Sequence, residues 1–144
     1  MLKDGEGFTI VQRVEKNIQI MKCVSDNLEV LNVYRSADKS LVEAANLLVE
    51  IINTHKPTLI IGDFNICVRR NKNNVITQRL ENLGFHQMVK EATHMEGNLI
   101  DHVYWKDVDA TWENPKIERY SPYFSDHDAH LITLRLVSKE TFFN

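Results

Sequence analysis

TLIIGDFN, residues 58–65, is the stretch whose reading decides the fold. Thr58 leads into three apolar residues, Leu59, Ile60 and Ile61, the pattern of a short strand buried on both faces. Gly62 then releases the chain into a tight turn. Asp63 and Asn65 therefore leave the end of a buried strand, where ligands collect in α/β folds. Upstream the period changes: Leu41, Ala44, Ala45, Leu48, Ile51 and Ile52 recur every three or four positions and share one face of a helix. Ser40 and Glu43 have the S-x-x-E spacing that satisfies free N–H groups at a helix start, and Pro57 stops any continuation. Further upstream, residues 8–14 read as a strand. Ile18, Ile20, Lys22 and Val24 alternate with Gln19, Met21 and Cys23, Ser25 to Asn27 supply a turn, and residues 28–34 return as the second arm of a hairpin.

Downstream lies a polar, basic loop with Arg69, Arg70, Asn71 and Lys72. Asn74 caps a second helix whose face is Ile76, Leu80 and Leu83, and Gly84 fits its C-terminal end. Residues 85–89, 99–105, part of 111–120, and 129–137 are further strand candidates. The predicted order is β-β-β-α-β-α-β-β-β-β, an α/β protein with helices packed on a mixed or mostly antiparallel sheet. The histidines outside the clusters below, His55, His86 and His94, read as solvated residues in loops or at loop edges.

The 144 residues, 43% hydrophobic and 26% charged, fit a single domain over residues 1–144. Seventeen Lys and Arg against 20 Asp and Glu give a formal charge of −3, which excludes a globally basic nucleic-acid binder and confines such binding to a local patch. No apolar run approaches the ~20 residues that cross a bilayer, and the first residues carry no signal-peptide core, so an intracellular protein with no membrane partner is expected. Cys23 and Cys67 lack C-x-x-C spacing and read as reduced thiols.

Three polar clusters adjoin apolar strands. Asp63 and Asn65 offer a carboxylate that can take a proton from water and an amide that can orient water or a phosphate oxygen. The same pair serves equally as turn caps after glycine. In Ile100-Asp101-His102-Val103-Tyr104-Trp105, alternation sends Asp101, Val103 and Trp105 to one face and Ile100, His102 and Tyr104 to the other. A carboxylate among apolar neighbours needs a donor, and a histidine ring is the usual one, whereas on an edge strand both Asp101 and His102 are simply solvated. Ser125-Asp126-His127-Asp128-Ala129-His130 is a dense run able to bind a divalent cation and move protons, or else a polar turn entering a strand.

Taken together, Gly62-Asp63-Phe64-Asn65, Ile100-Asp101-His102-Val103-Tyr104 and Ser125-Asp126-His127 resemble the last three signature motifs of the endonuclease/exonuclease/phosphatase superfamily. Asn32-Val33-Tyr34-Arg35-Ser36 resembles the strand-end tyrosine motif that precedes them. The wording around Ala92-Thr93-His94 and Gly97-Asn98 is similar to apurinic/apyrimidinic-endonuclease-like domains carried by mobile genetic elements. The resemblance implies a truncated form of a two-sheet α/β/β/α sandwich with helices outside, and a site that cleaves phosphate esters. It implies that Asp63 activates or positions the attacking water and that Asn65 holds it or a phosphate oxygen. Asp126 would bind Mg²⁺ or Mn²⁺, His127 and Tyr34 would meet the phosphate, and Asp101 would accept a hydrogen bond from His127. The family's N-terminal strands, bearing an Asn and the principal metal-ligand Glu, find no match here, and Glu6, Glu15 and Glu29 lie in dissimilar segments. A metal of low occupancy, weak or absent activity and an open sheet edge follow as expectations. That edge points to a homodimer with the hairpin of residues 8–34 nearest the interface.

Three functions compete. The first is a metal-dependent DNA endonuclease, nuclear if of the mobile-element type, with Arg69, Arg70 and Lys72 steering the backbone, although those residues also read as an ordinary solvated turn. The second is a non-catalytic relic or oligomerising module. The third is a phosphatase of a lipid or small phosphate ester.

Overall fold

The computed structural model describes residues 9–15, 17–25, 28–90, 99–106, 112–121 and 124–137. Its elements, in chain order, are β1 (Thr9–Glu15), β2 (Ile18–Ser25), β3 (Leu28–Arg35), α1 (Leu41–His55), β4 (Leu59–Asp63), α2 (Val75–Asn82), β5 (His86–Gln87), β6 (Asp101–Trp105), β7 (Lys116–Tyr120) and β8 (Ala129–Thr133). The order matches the one predicted from hydrophobic period. Six strands form one sheet in the order β1-β2-β3-β4-β6-β5, and β7 and β8 form a second. Among the described residues β3 and β4 make the one parallel pair, as strands joined through a helix must when they lie side by side in the same sense.

Local chemistry sets the helix ends. Ser40 Oγ accepts from Glu43 N at the start of α1, and Lys56, in the left-handed region, closes its end with N–H to Ile52 O at 2.8 Å. Asn74 Oδ1 accepts from Thr77 N at 2.9 Å at the start of α2, and Gly84 follows its last turn with φ 93°.

Strand alternation splits the core in two. Leu31 and Val33 of β3, Ile60 of β4 and Tyr104 of β6 face α1 and α2 and are essentially fully buried there. Leu59 and Val103, with Val30, Ile61 and Trp105, face the small sheet and pack on Ile117, Ile132 and Leu134. Each fully buried Leu or Ile contributes about 1.5–3 kcal/mol, so these two layers are the main stabilising term. One helical layer, the large sheet and the small sheet are thus stacked as an α/β sandwich. No helix of the described residues is long and apolar enough to cross a membrane, and both cysteines are free thiols.

Some expected boundaries shift. Residues 85–89 pair as strand only at His86–Gln87, because the Gln87 side chain takes both Val89 backbone groups, accepting from its N–H at 2.7 Å and donating to its carbonyl at 2.6 Å. The strand expected over 129–137 stops at Thr133, and contact with the small sheet continues as a single bridge between Trp112 and Leu136. β6 lies between β4 and β5, so the solvated-edge reading of Asp101 and His102 is replaced by an interior strand. Of the three remaining histidines, His55 is the last residue of α1, half-buried with Nδ1 2.8 Å from Lys22 Nζ, and His86 opens the two-residue β5 and is exposed. His94, with Ala92, Thr93, Gly97 and Asn98, lies outside the described residues.

Candidate active site

The sheet register lines up the site. Tyr34 is the partner of Asp63 across β3 and β4, and Asp63 is the partner of Asp101 across β4 and β6. Partners in register point to the same side, here the side of the small sheet. The turn that follows depends on Gly62. Its φ is +149°, and a Cβ there would stand 1.8 Å from the carbonyl oxygen of Val33. Only glycine lets β4 lie this close to β3 and still turn. Asp63 Oδ1 then accepts from Asn65 N at 3.0 Å, and Asn65 takes φ 50°. Asp63 therefore does cap its turn, and only one of its oxygens is used in doing so.

His127 arrives from the other sheet, in the segment just before β8, where Ser125 Oγ accepts from its backbone N–H at 3.1 Å. Its Nδ1 donates to Asp101 Oδ2 at 2.8 Å, and its Nε2 stands 3.9 Å from Asp63 Oδ2. The hydrogen bond to Asp101 raises the His127 pKa above the ordinary value; partial burial works against it, and the charges of Asp101, Asp63 and Asp126 add to it. Ligand atoms of Asp63, Asp101 and His127 all lie within 4.8 Å of one another. Such a cluster can donate a proton from the imidazolium, accept one on a carboxylate, or hold a cation.

The other expected site residues fall around this cluster. Tyr34 is 47% exposed and open to a ligand along the same row. Asn65 is partly buried and its Nδ2 donates to Arg35 O at 2.6 Å. Asp126 is exposed beside His127, outside the three-residue group. Arg69, Arg70 and Lys72 are exposed on the β4–α2 loop. Arg69 and Lys72 border a cavity of about 560 Å³ that also carries Lys90, and all three loop cations border a second of about 540 Å³ next to Asn74.

Sequence reasoning missed the opposite face. His102 is 1% exposed, and burial pushes its pKa down to about 4, so the ring is neutral. Its Nε2 donates to Ile66 O at 2.9 Å, with Leu99 O at 3.2 Å, which leaves Nδ1 to accept from Tyr104 Oη at 3.0 Å. Thr77 Oγ1 in turn donates to Tyr104 at 2.8 Å and accepts from Asn74 Nδ2 at 2.9 Å. Phe64 stacks on the His102 ring at 4.8 Å between centroids. A chain of donors thus runs from the cap of α2 to the loop beside Asp63. Arg35, 4% exposed, holds the same loop from β3. The available signal was alternation alone, which sends Arg35 and His102 to the apolar side.

No family model matches the sequence, and no curated protein does. Among solved structures, the endonuclease domain of TRAS1, a telomere-specific non-LTR retrotransposon, superposes with a TM-score of 0.65 at 15% identity, covering 92% of this chain and 70% of that one. At that identity the likeness is one of architecture: the chain has an endonuclease-like fold.

Proposed function

We propose that this chain is a metal-dependent phosphodiesterase domain of the DNA-endonuclease type. The observation that carries the reading is the convergence of Asp63, Asp101 and His127, drawn from three distant segments, at one end of the sheet. Asp63 positions the attacking water and takes its proton, and Asn65 orients water or a phosphate oxygen. His127, held in place by Asp101, presents Nε2 as donor to the phosphate, and Tyr34 contacts the phosphate along the same row. Phosphoryl transfer rewards this kind of charge placement and alignment more than covalent chemistry.

The donor set suits Mg²⁺ or Mn²⁺: Asp63 and Asp101 bring carboxylate oxygens, waters complete the shell of a hard cation, and exposed Asp126 stands alongside. When bound, the ion supplies Lewis-acid charge to a phosphate oxygen. Arg69, Arg70 and Lys72 meet the nucleic-acid backbone, and a mobile-element role places the protein in the nucleus.

The test is cleavage of supercoiled plasmid with Mg²⁺ or Mn²⁺, beside a phosphomonoester substrate. The expected result is weak, metal-dependent nicking that EDTA abolishes and that Asp63→Asn and His127→Ala both remove. Nicking that survives both substitutions, or turnover of the monoester alone, refutes the reading. A second reading, an oligomerising module, draws on the apolar side chains exposed along β8 and after it: Leu131, Leu136 and Val137 at 51, 52 and 43%. It predicts a dimer mass by light scattering and no metal-dependent nicking.

A further inference from the structure

Asn65 sits between two peptide planes, and both planes are held by one side chain. The Phe64 carbonyl belongs to the plane before Asn65 and accepts from Arg35 Nε at 2.6 Å; the Asn65 carbonyl belongs to the plane after it and accepts from Arg35 Nη2 at 2.9 Å. Fixing the planes on either side of a residue fixes its φ and ψ. Arg35 thereby holds Asn65 at φ 50°, a conformation that asparagine tolerates without preferring. The hold is reciprocal, since Asn65 Nδ2 donates to Arg35 O at 2.6 Å. Nη1 anchors the other end of the fork to Lys39 O at 2.5 Å and Ser36 O at 3.2 Å.

A guanidinium spent on four carbonyls is an unusual use of a buried charge, because among the described residues no carboxylate lies within ion-pair distance of it. Asp63 is the acidic group whose charge reaches it. The neighbouring carbonyl, Ile66 O, is taken by His102 from β6, so the loop is pinned from both flanking strands. From this geometry we infer that Arg35 is a positioning residue for the site: it presets the peptide planes around Asn65 and with them the turn that aims Asp63. The inference deepens the phosphodiesterase reading and rests on it for its catalytic readout. Lysine cannot replace arginine here, since a point charge on a flexible stem does not reproduce a planar fork.

The experiment compares wild type, Arg35→Lys, Asn65→Ala and the double variant by metal-supported cleavage and by ¹H–¹⁵N NMR. Arg35→Lys should lower kcat by about 10–100-fold, the cost of a misplaced group far from the reacting atoms, with KM within about threefold. Asn65→Ala should add little in the Arg35→Lys background, because the two act as one unit. Multiplying effects, or a change confined to KM, overturn the inference. The NMR readout stands apart from activity. In wild type the Arg35 Nε–H and one Asn65 side-chain proton should exchange slowly, and Arg35→Lys should abolish the Asn65 protection. Fast exchange at Arg35 Nε–H in wild type overturns the clamp even if no variant folds. A wild type that cleaves nothing but shows both protected protons refutes the phosphodiesterase reading and leaves the clamp standing.

Discussion

His102 and His127 approach the same strand-end turn from opposite faces of the large sheet, and their surroundings move their protons in opposite directions. His102 is sealed among Phe64, Tyr104 and two carbonyls, and burial drives it neutral with a pKa of about 4. His127 stands half open beside Asp101, which raises its pKa. The same side chain is a fixed strut on one face and a charge carrier on the other. What separates them is whether the ring meets carbonyls in the dark or carboxylates at the surface.

The hardest test of this two-faced arrangement is Gly62→Ala, which strikes both faces at once. Positive-φ strain and the clash with Val33 O together should cost about 3–5 kcal/mol, a large part of a domain's stability, visible as a collapse of the urea midpoint. A near-native midpoint would mean β4 can move away from β3. Next in size, His127→Ala should lower turnover by roughly 10³-fold, as loss of an acid–base group does, and leave the melting temperature within about 2 °C. A fall of many degrees would assign His127 to the scaffold instead.

Acid should separate the two rings. The folded pKa of His102 lies below its unfolded value of 6.5, so the unfolded chain binds the extra proton between those limits. Its contribution is complete above about pH 6.5 and is lost as pH falls toward 4, by roughly 3 kcal/mol at most. His127 has the opposite sign: its contribution is present below 6.5 and is lost as pH rises through its elevated pKa. Urea midpoints across pH 4–8 for wild type and His102→Gln measure this, and an acid limb unchanged in the variant would remove His102 as its source. The smallest effect belongs to Tyr104→Phe. It leaves His102 Nδ1 and the Thr77 hydroxyl without their partner, a cost of about 1–2 kcal/mol in the same assay.

How much of this was legible in the sequence follows the same division. The helices were readable because their signals are local: the three-to-four spacing from Leu41 to Ile52, Ser40 before it, Asn74 and Gly84 around α2. The two faces of β6 were readable because alternation is a covalent fact, and Asp63, Asp101 and His127 stood out as polar groups at the ends of apolar strands. Arg35 did not, because its partners are backbone carbonyls, which every residue possesses and no sequence advertises. The role of His102 was equally hidden, since its proton is fixed through Tyr104 on the same strand by Thr77 of α2 and its cap residue Asn74. The short β5 was misread because a side chain, Gln87, replaced a ladder partner.

The sheet order also sets a sequence of events in time. β1, β2 and β3 pair with their immediate chain neighbours, so their loops close at little entropic cost and the meander is expected early in folding. The β4–β6 pair must close over α2 and β5, and the His127–Asp101 contact joins residues 26 apart across two sheets. Those contacts are expected last. A chain arrested halfway would carry its hairpins and no cluster at the strand ends, so recovery of the His127–Asp101 hydrogen bond in a refolding experiment should trail the amide protection of β2 and β3.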